Sequence, residues 1–125
     1  MAINEEFKQA QIAEDLAETA RSLAHSTRNV PHPFDSWRML GELAETQRGL
    51  AQVYDQLAAW HKRVVDGVHY AGEDDSGDRL NPAVLRVAFA LEEAAHKARQ
   101  VTDELEQARS ANGVVRWVDL VAQED

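Results

Sequence analysis

Five histidines, His25, His32, His61, His69 and His96, are the side chains of this 125-residue sequence best suited to chemistry near neutral pH. Glu93 and His96 stand three residues apart, the Glu-x-x-His spacing by which carboxylate-bridged di-metal bundles present two ligands from one helical turn. That chemistry needs the motif on two helices and carboxylates on two more, all directed inward. The sequence holds one copy, and His96 falls on the outer side of its helix in the seven-residue register. A solvated helix surface is therefore expected there, and no metal or other cofactor is expected. His61 and Gln47 interrupt an otherwise apolar stripe. Polar groups at such positions commonly fix register or oligomeric state, at some cost in stability. His61 could also respond to pH; the plainer reading is a side chain reaching the edge of a bundle.

Other chemistries fail on spacing. Asp74, Ser76 and Asp78 suggest a calcium loop, but Arg79 occupies its obligatory glycine position and Leu85 that of its bidentate glutamate. The chain has no cysteine, which removes disulfides, thiolate metal sites and cysteine nucleophiles together. Neither a glycine-rich phosphate loop nor a serine nucleophile on a tight turn is visible, so catalysis is not expected.

Charge narrows the partners. Lys and Arg number 13 against 22 Asp and Glu, a formal net charge of −9. Such a surface repels nucleic-acid backbone and anionic lipid, so neither direct nucleic-acid binding nor a membrane role is expected. An acidic inhibitor that imitates DNA is the alternative this charge leaves open. No apolar run approaches the ~20 residues that span a bilayer, and Met1 to Lys8 has no signal-peptide character. The expected compartment is the cytoplasm.

The elements that would position these residues follow a seven-residue rhythm. Leu40, Leu43, Gln47, Leu50, Tyr54, Leu57, His61, Val64 and Val68 alternate in steps of three and four, which predicts a long helix packed along its length. Ala44, Ala51, Ala58 and Val65 flank this seam on one side, with Met39, Val53 and Trp60 on the other. Helices are expected at about 4–25, 36–67 and 82–111, the first capped by Asn4 and the third opened by Asn81-Pro82. Pro31 and Pro33 separate the first two, and the acidic stretch from Glu73 to Asp78 separates the second from the third. The third helix keeps the rhythm through Val84, Val87, Leu91, Ala94, Ala98, Val101, Leu105 and Ala108. It ends at Asn112-Gly113, where glycine can adopt the left-handed conformation. Gly41 and Gly49 fall on the outer face with no packing role evident. Val114, Trp117, Val118 and Val121 have helical spacing, which predicts a short last helix at 114–121.

These elements make a single all-α domain: an antiparallel three-helix bundle with a long central hairpin and a short C-terminal helix. The hairpin outreaches the first helix, leaving Trp60, Val64, Val68, Leu85 and Phe89 without a third layer. Exposed apolar surface of that kind marks a partner or a homodimer contact. The four apolar residues of the C-terminal segment could likewise dock on their own bundle or serve as a recognition helix for another protein. The expected function is thus non-enzymatic protein–protein interaction, as an adaptor, accessory or regulatory protein.

Two resemblances bear on this. Tyr70 and Asp74 have the Tyr-x-x-x-Asp spacing of the export signal in type VII secretion substrates, which also carry a helical hairpin before it. Here the turn reads Pro33-Phe34-Asp35-Ser36-Trp37-Arg38-Met39 and lacks their Trp-x-Gly, so a secretion-related protein stands as a second alternative. The run Asp35-Ser36-Trp37-Arg38-Met39-Leu40-Gly41-Glu42-Leu43-Ala44, with Gly49 to Val53 and Gln56 to Trp60, resembles small uncharacterised helical proteins of actinobacteria, some associated with mobile elements. That likeness covers about a quarter of the chain. It implies a bacterial, cytoplasmic protein and carries no catalytic residue.

Overall fold

The computed structural model of the chain describes residues 8–70 and 82–119. Three helices account for most of them: α1 (Gln9–Ser26), α2 (Asp35–Arg63) and α3 (Ala83–Asn112). No strand occurs among the described residues, so the fold is all-α, as the periodicity predicts. No described helix is long and apolar enough to cross a membrane. The Asn4 cap, the acidic stretch from Glu73 to Asp78, Asn81 and Val121 lie outside the described residues.

The described residues fall into two compact units. The first holds α1, the loop to Phe34 and the segment from Trp117. The second runs from Asp35 to Arg116. In the first, α1 buries no residue; Ile12 and Leu16 stay 41% and 42% exposed. The Thr27 hydroxyl donates to the Leu23 carbonyl at 3.0 Å and closes the helix C-terminus. His32 Nδ1 meets Asp119 Oδ2 at 3.3 Å, linking the loop after α1 to the C-terminal segment.

In the second unit α2 and α3 lie antiparallel, and its core is small-sided. Ala44, Ala51 and Ala58 of α2 are buried at intervals of seven, opposite Ala88, Ala95, Ala98 and Thr102 of α3. Methyl groups at the line of contact let two helix backbones come close, so the alanines and not the leucines sit deepest. The Thr102 hydroxyl, buried with them, donates to the Ala98 carbonyl at 2.9 Å and leaves no orphaned polar group. This moves the centre of the interface from where the sequence pattern puts it. The leucine-rich stripe of α2 is a half-buried shoulder; of the expected α3 seam Ala98 is buried, while Ala88, Ala95 and Thr102 take the places of Val87, Ala94 and Val101, leaving Val87 and Val101 41% and 38% exposed.

Helix ends also differ. α2 stops at Arg63, short of 67, because the chain turns there: Gly67 takes φ +84°, and its N–H donates to the Tyr70 carbonyl at 2.8 Å. Left-handed φ is strained for residues with a Cβ and free for glycine. Gly113, expected to be the left-handed residue, keeps φ −62°. Pro82 is the cap of α3 itself, and Ala83 opens the helix. The expected short helix at 114–121 is absent over its described part: Val114 is in a turn and Val115 to Asp119 are non-helical. Three β-branched valines in a segment this short oppose nucleation.

Candidate functional site

The α2–α3 hairpin has two unlike sides, which follow from where each residue stands relative to the alanine line. On one side Arg48 pairs with Glu106 at 3.2 Å, Asp55 with Arg99, and Lys62 with Glu92 at 2.8 Å. Each step of seven along α2 is answered by a step of seven back along α3, so the register is unbroken over four turns. These groups are all more than a third exposed, and each pair contributes at most ~1 kcal/mol. Their larger effect is on specificity, because a slip of either helix by two turns would set Arg48 against Arg99 and Asp55 against Glu92, or Lys62 against Arg99 and Asp55 against Glu106.

The ladder ends in a clasp that sequence reasoning missed. The Arg109 guanidinium lies 3.8 Å from the centroid of the Trp37 ring. It can do so because Gly41 lies beneath it: a Cβ there would stand 3.0 Å from Arg109 Nε. Gly41 therefore has a packing role after all, and it is a small residue kept for a side chain from the other helix. The Nε is buried without a hydrogen-bond partner, so the ring face is its compensation. Beside it Asn112 Nδ2 donates to Ser36 Oγ at 2.9 Å, tying the end of α3 to the start of α2. An open cleft of about 540 Å³ lies against the clasp. Three arginines (Arg38, Arg48, Arg109) and three glutamates (Glu42, Glu45, Glu106) line it, so it has no net charge with which to select an ion.

The opposite side of the hairpin is apolar. Leu43, Leu50, Tyr54 and Leu57 of α2 stand beside Val87, Leu91, Ala94, Val101 and Leu105 of α3. At 3.6 residues per turn they share one side of the alanine line. No Asp, Glu, Lys or Arg stands among them. Leu57 is 43% exposed, and Val53 and Trp60 at the outer margin are 44% and 50% exposed.

The polar residues marked from the sequence take structural places. His61 Nδ1 donates to the Leu57 carbonyl at 2.7 Å, which fixes the tautomer because a carbonyl can only accept. Its ring meets Trp60 edge-on, with centroids 4.9 Å apart and planes at 86°. Gln47 is half-buried on the same shoulder. Glu93 and His96 are both exposed, and the Glu93 carboxylate faces Lys97 at 4.0 Å. Among the described residues no group of three or more potential ligands could hold a metal ion. Of the export-type pair, Tyr70 is half-buried and Asp74 lies outside the described residues.

The five residues marked as an unmatched apolar end are distributed as follows. Val64 and Leu85 are half-buried, Trp60 is half exposed, and Val68, in the turn after α2, is 74% exposed. Phe89 is 54% exposed and carries the Lys62 ammonium 5.7 Å from its ring centroid, so it belongs with the charged ladder. In the C-terminal segment Val114, Trp117 and Val118 are 86%, 43% and 53% exposed. Neither protein-family models nor curated proteins nor solved structures contain a match to this chain.

Proposed function

We propose that the chain is a non-enzymatic protein-interaction module, an adaptor or regulatory subunit, and that it works through the apolar side of the α2–α3 hairpin. The observation that carries this reading is the contrast between the two sides. One is closed by ion pairs in a seven-residue register. The other presents Leu43, Leu50, Leu57, Leu91, Val101 and Leu105 with no ionic group among them and with Leu57 and Val101 still 43% and 38% exposed. A helical layer with one charged and one apolar side stabilises itself by covering the apolar side with protein. The resemblance of α2 to actinobacterial proteins supports a bacterial cytoplasmic setting.

The test is site-specific photo-crosslinking in cells. A photo-reactive residue at position 57 should yield covalent protein adducts, whereas one at position 103, exposed on the ladder side of α3, should yield none. Equal absence of adducts from both positions would remove the proposal.

A further inference from the structure

The reading above leaves open which protein covers the apolar side, and three observations identify it. The first is length. α2 and α3 have 29 and 30 residues, about 43–45 Å at the usual rise, and α1 has 18, about 27 Å. A cover that matches the whole side needs helices of hairpin length, and among the described residues only α2 and α3 have it. The second is area. Two adjacent helices, each about 10 Å across and about 43 Å long, offer a footprint of roughly 850 Å², the size that a standard stable interface buries on each partner. The third is charge. α2 carries four Lys and Arg against four Asp and Glu, and α3 four against five, so the two helices together contribute −1 of the chain's −9. Two hairpins can meet without the repulsion that the chain's net charge would otherwise impose.

We infer that the occupant is a second copy of this chain, with two hairpins stacked apolar side to apolar side as a four-helix layer pair about a two-fold axis. This inference rests on the proposed use of that side. An isologous contact needs a self-complementary surface, and an antiparallel pair supplies one: leucine and valine recur at seven-residue steps in both chain directions. The half-buried Gln47 and His61 share the helix position of Tyr54 and would then lie within the new core, where a polar group limits sliding at some cost in stability.

Light scattering on the purified full chain tests it. The expected mass is twice the 14.0 kDa of one chain. A Leu57→Asp/Val101→Asp variant changes two exposed positions and should return to the mass of one chain with its helical circular dichroism retained. Phe89→Asp, on the ladder side, should leave the doubled mass unchanged. Photo-crosslinking of purified protein from position 57 should give a covalent dimer, a readout that does not depend on either variant folding. A natural chain with the mass of one copy up to its solubility limit would overturn the inference, as would a doubled mass that survives in folded Leu57→Asp/Val101→Asp. If the purified chain is single while position 57 still captures a different protein in cells, the self-pairing fails and the interaction reading stands. If position 57 captures nothing anywhere, both fail.

Discussion

Replacing Ala51 with leucine tests the packing argument at its narrowest point. Ala51 is 2% exposed and faces a part of α3 where Ala98 and Thr102 are each 5% exposed. Three added carbons have no space there, so α2 and α3 must separate or the side chain must take a strained rotamer. Overpacking of this kind costs ~1–3 kcal/mol. Leucine is nearly as good a helix former as alanine, so propensity accounts for little of the loss. Ala59→Leu, the same change at an exposed position of the same helix, should stay within ~0.5 kcal/mol of the natural chain. Urea denaturation followed by circular dichroism, at matched protein concentration, measures both; in thermal melts the difference is about 4 °C per kcal/mol. Separated helices also lengthen the nearby Asp55–Arg99 pair, so adding Asp55→Ala should cost less in the Ala51→Leu background than in the natural one. If Ala51→Leu is as stable as Ala59→Leu, the alanines are not the line of contact and the argument fails.

Further outcomes follow from the same geometry. Asp55→Arg should destabilise by about 1 kcal/mol or less, and adding Arg99→Asp should recover most of it, with the difference shrinking in high salt. Arg109→Ala should cost ~0.5–2 kcal/mol through loss of the Trp37 contact. Gly41→Ala should change stability little in the same denaturation experiment. Its helix gain of ~1 kcal/mol is offset by displacement of Arg109.

The three long helices, the loops around Pro31, Pro33 and Pro82, and the ends of α3 were legible because periodicity and backbone restriction are local properties. The phase of the packing was not. Ranking by side-chain size favours Leu50 and Val101, yet proximity of two backbones favours Ala51 and Ala98, and only the partner helix decides between them. Gly41 reads as a cost to α2 until Arg109 of α3 is known to lie over it. Trp37 was visible as an aromatic near a cap, but nothing in the sequence joins positions 37 and 109. The seven-residue spacing of Arg48, Asp55 and Lys62, mirrored by Glu106, Arg99 and Glu92, was available and could have set the register. At 114–121 the apolar spacing suggested a helix, and the β-branched content of Val114, Val115 and Val118 was the stronger signal.

The account turns on whether the apolar side of the hairpin is covered by protein where the chain works. The natural sequence has no cysteine, so one introduced thiol reports its own site without background. Leu57→Cys and Asp103→Cys should each be alkylated in host cells and in highly diluted purified protein, with rates normalised to the denatured chain. The thiol at position 57 should react several-fold more slowly in cells than in the diluted protein, while the thiol at position 103 should react alike in both. Equal reactivity of position 57 in cells and on dilution would contradict it.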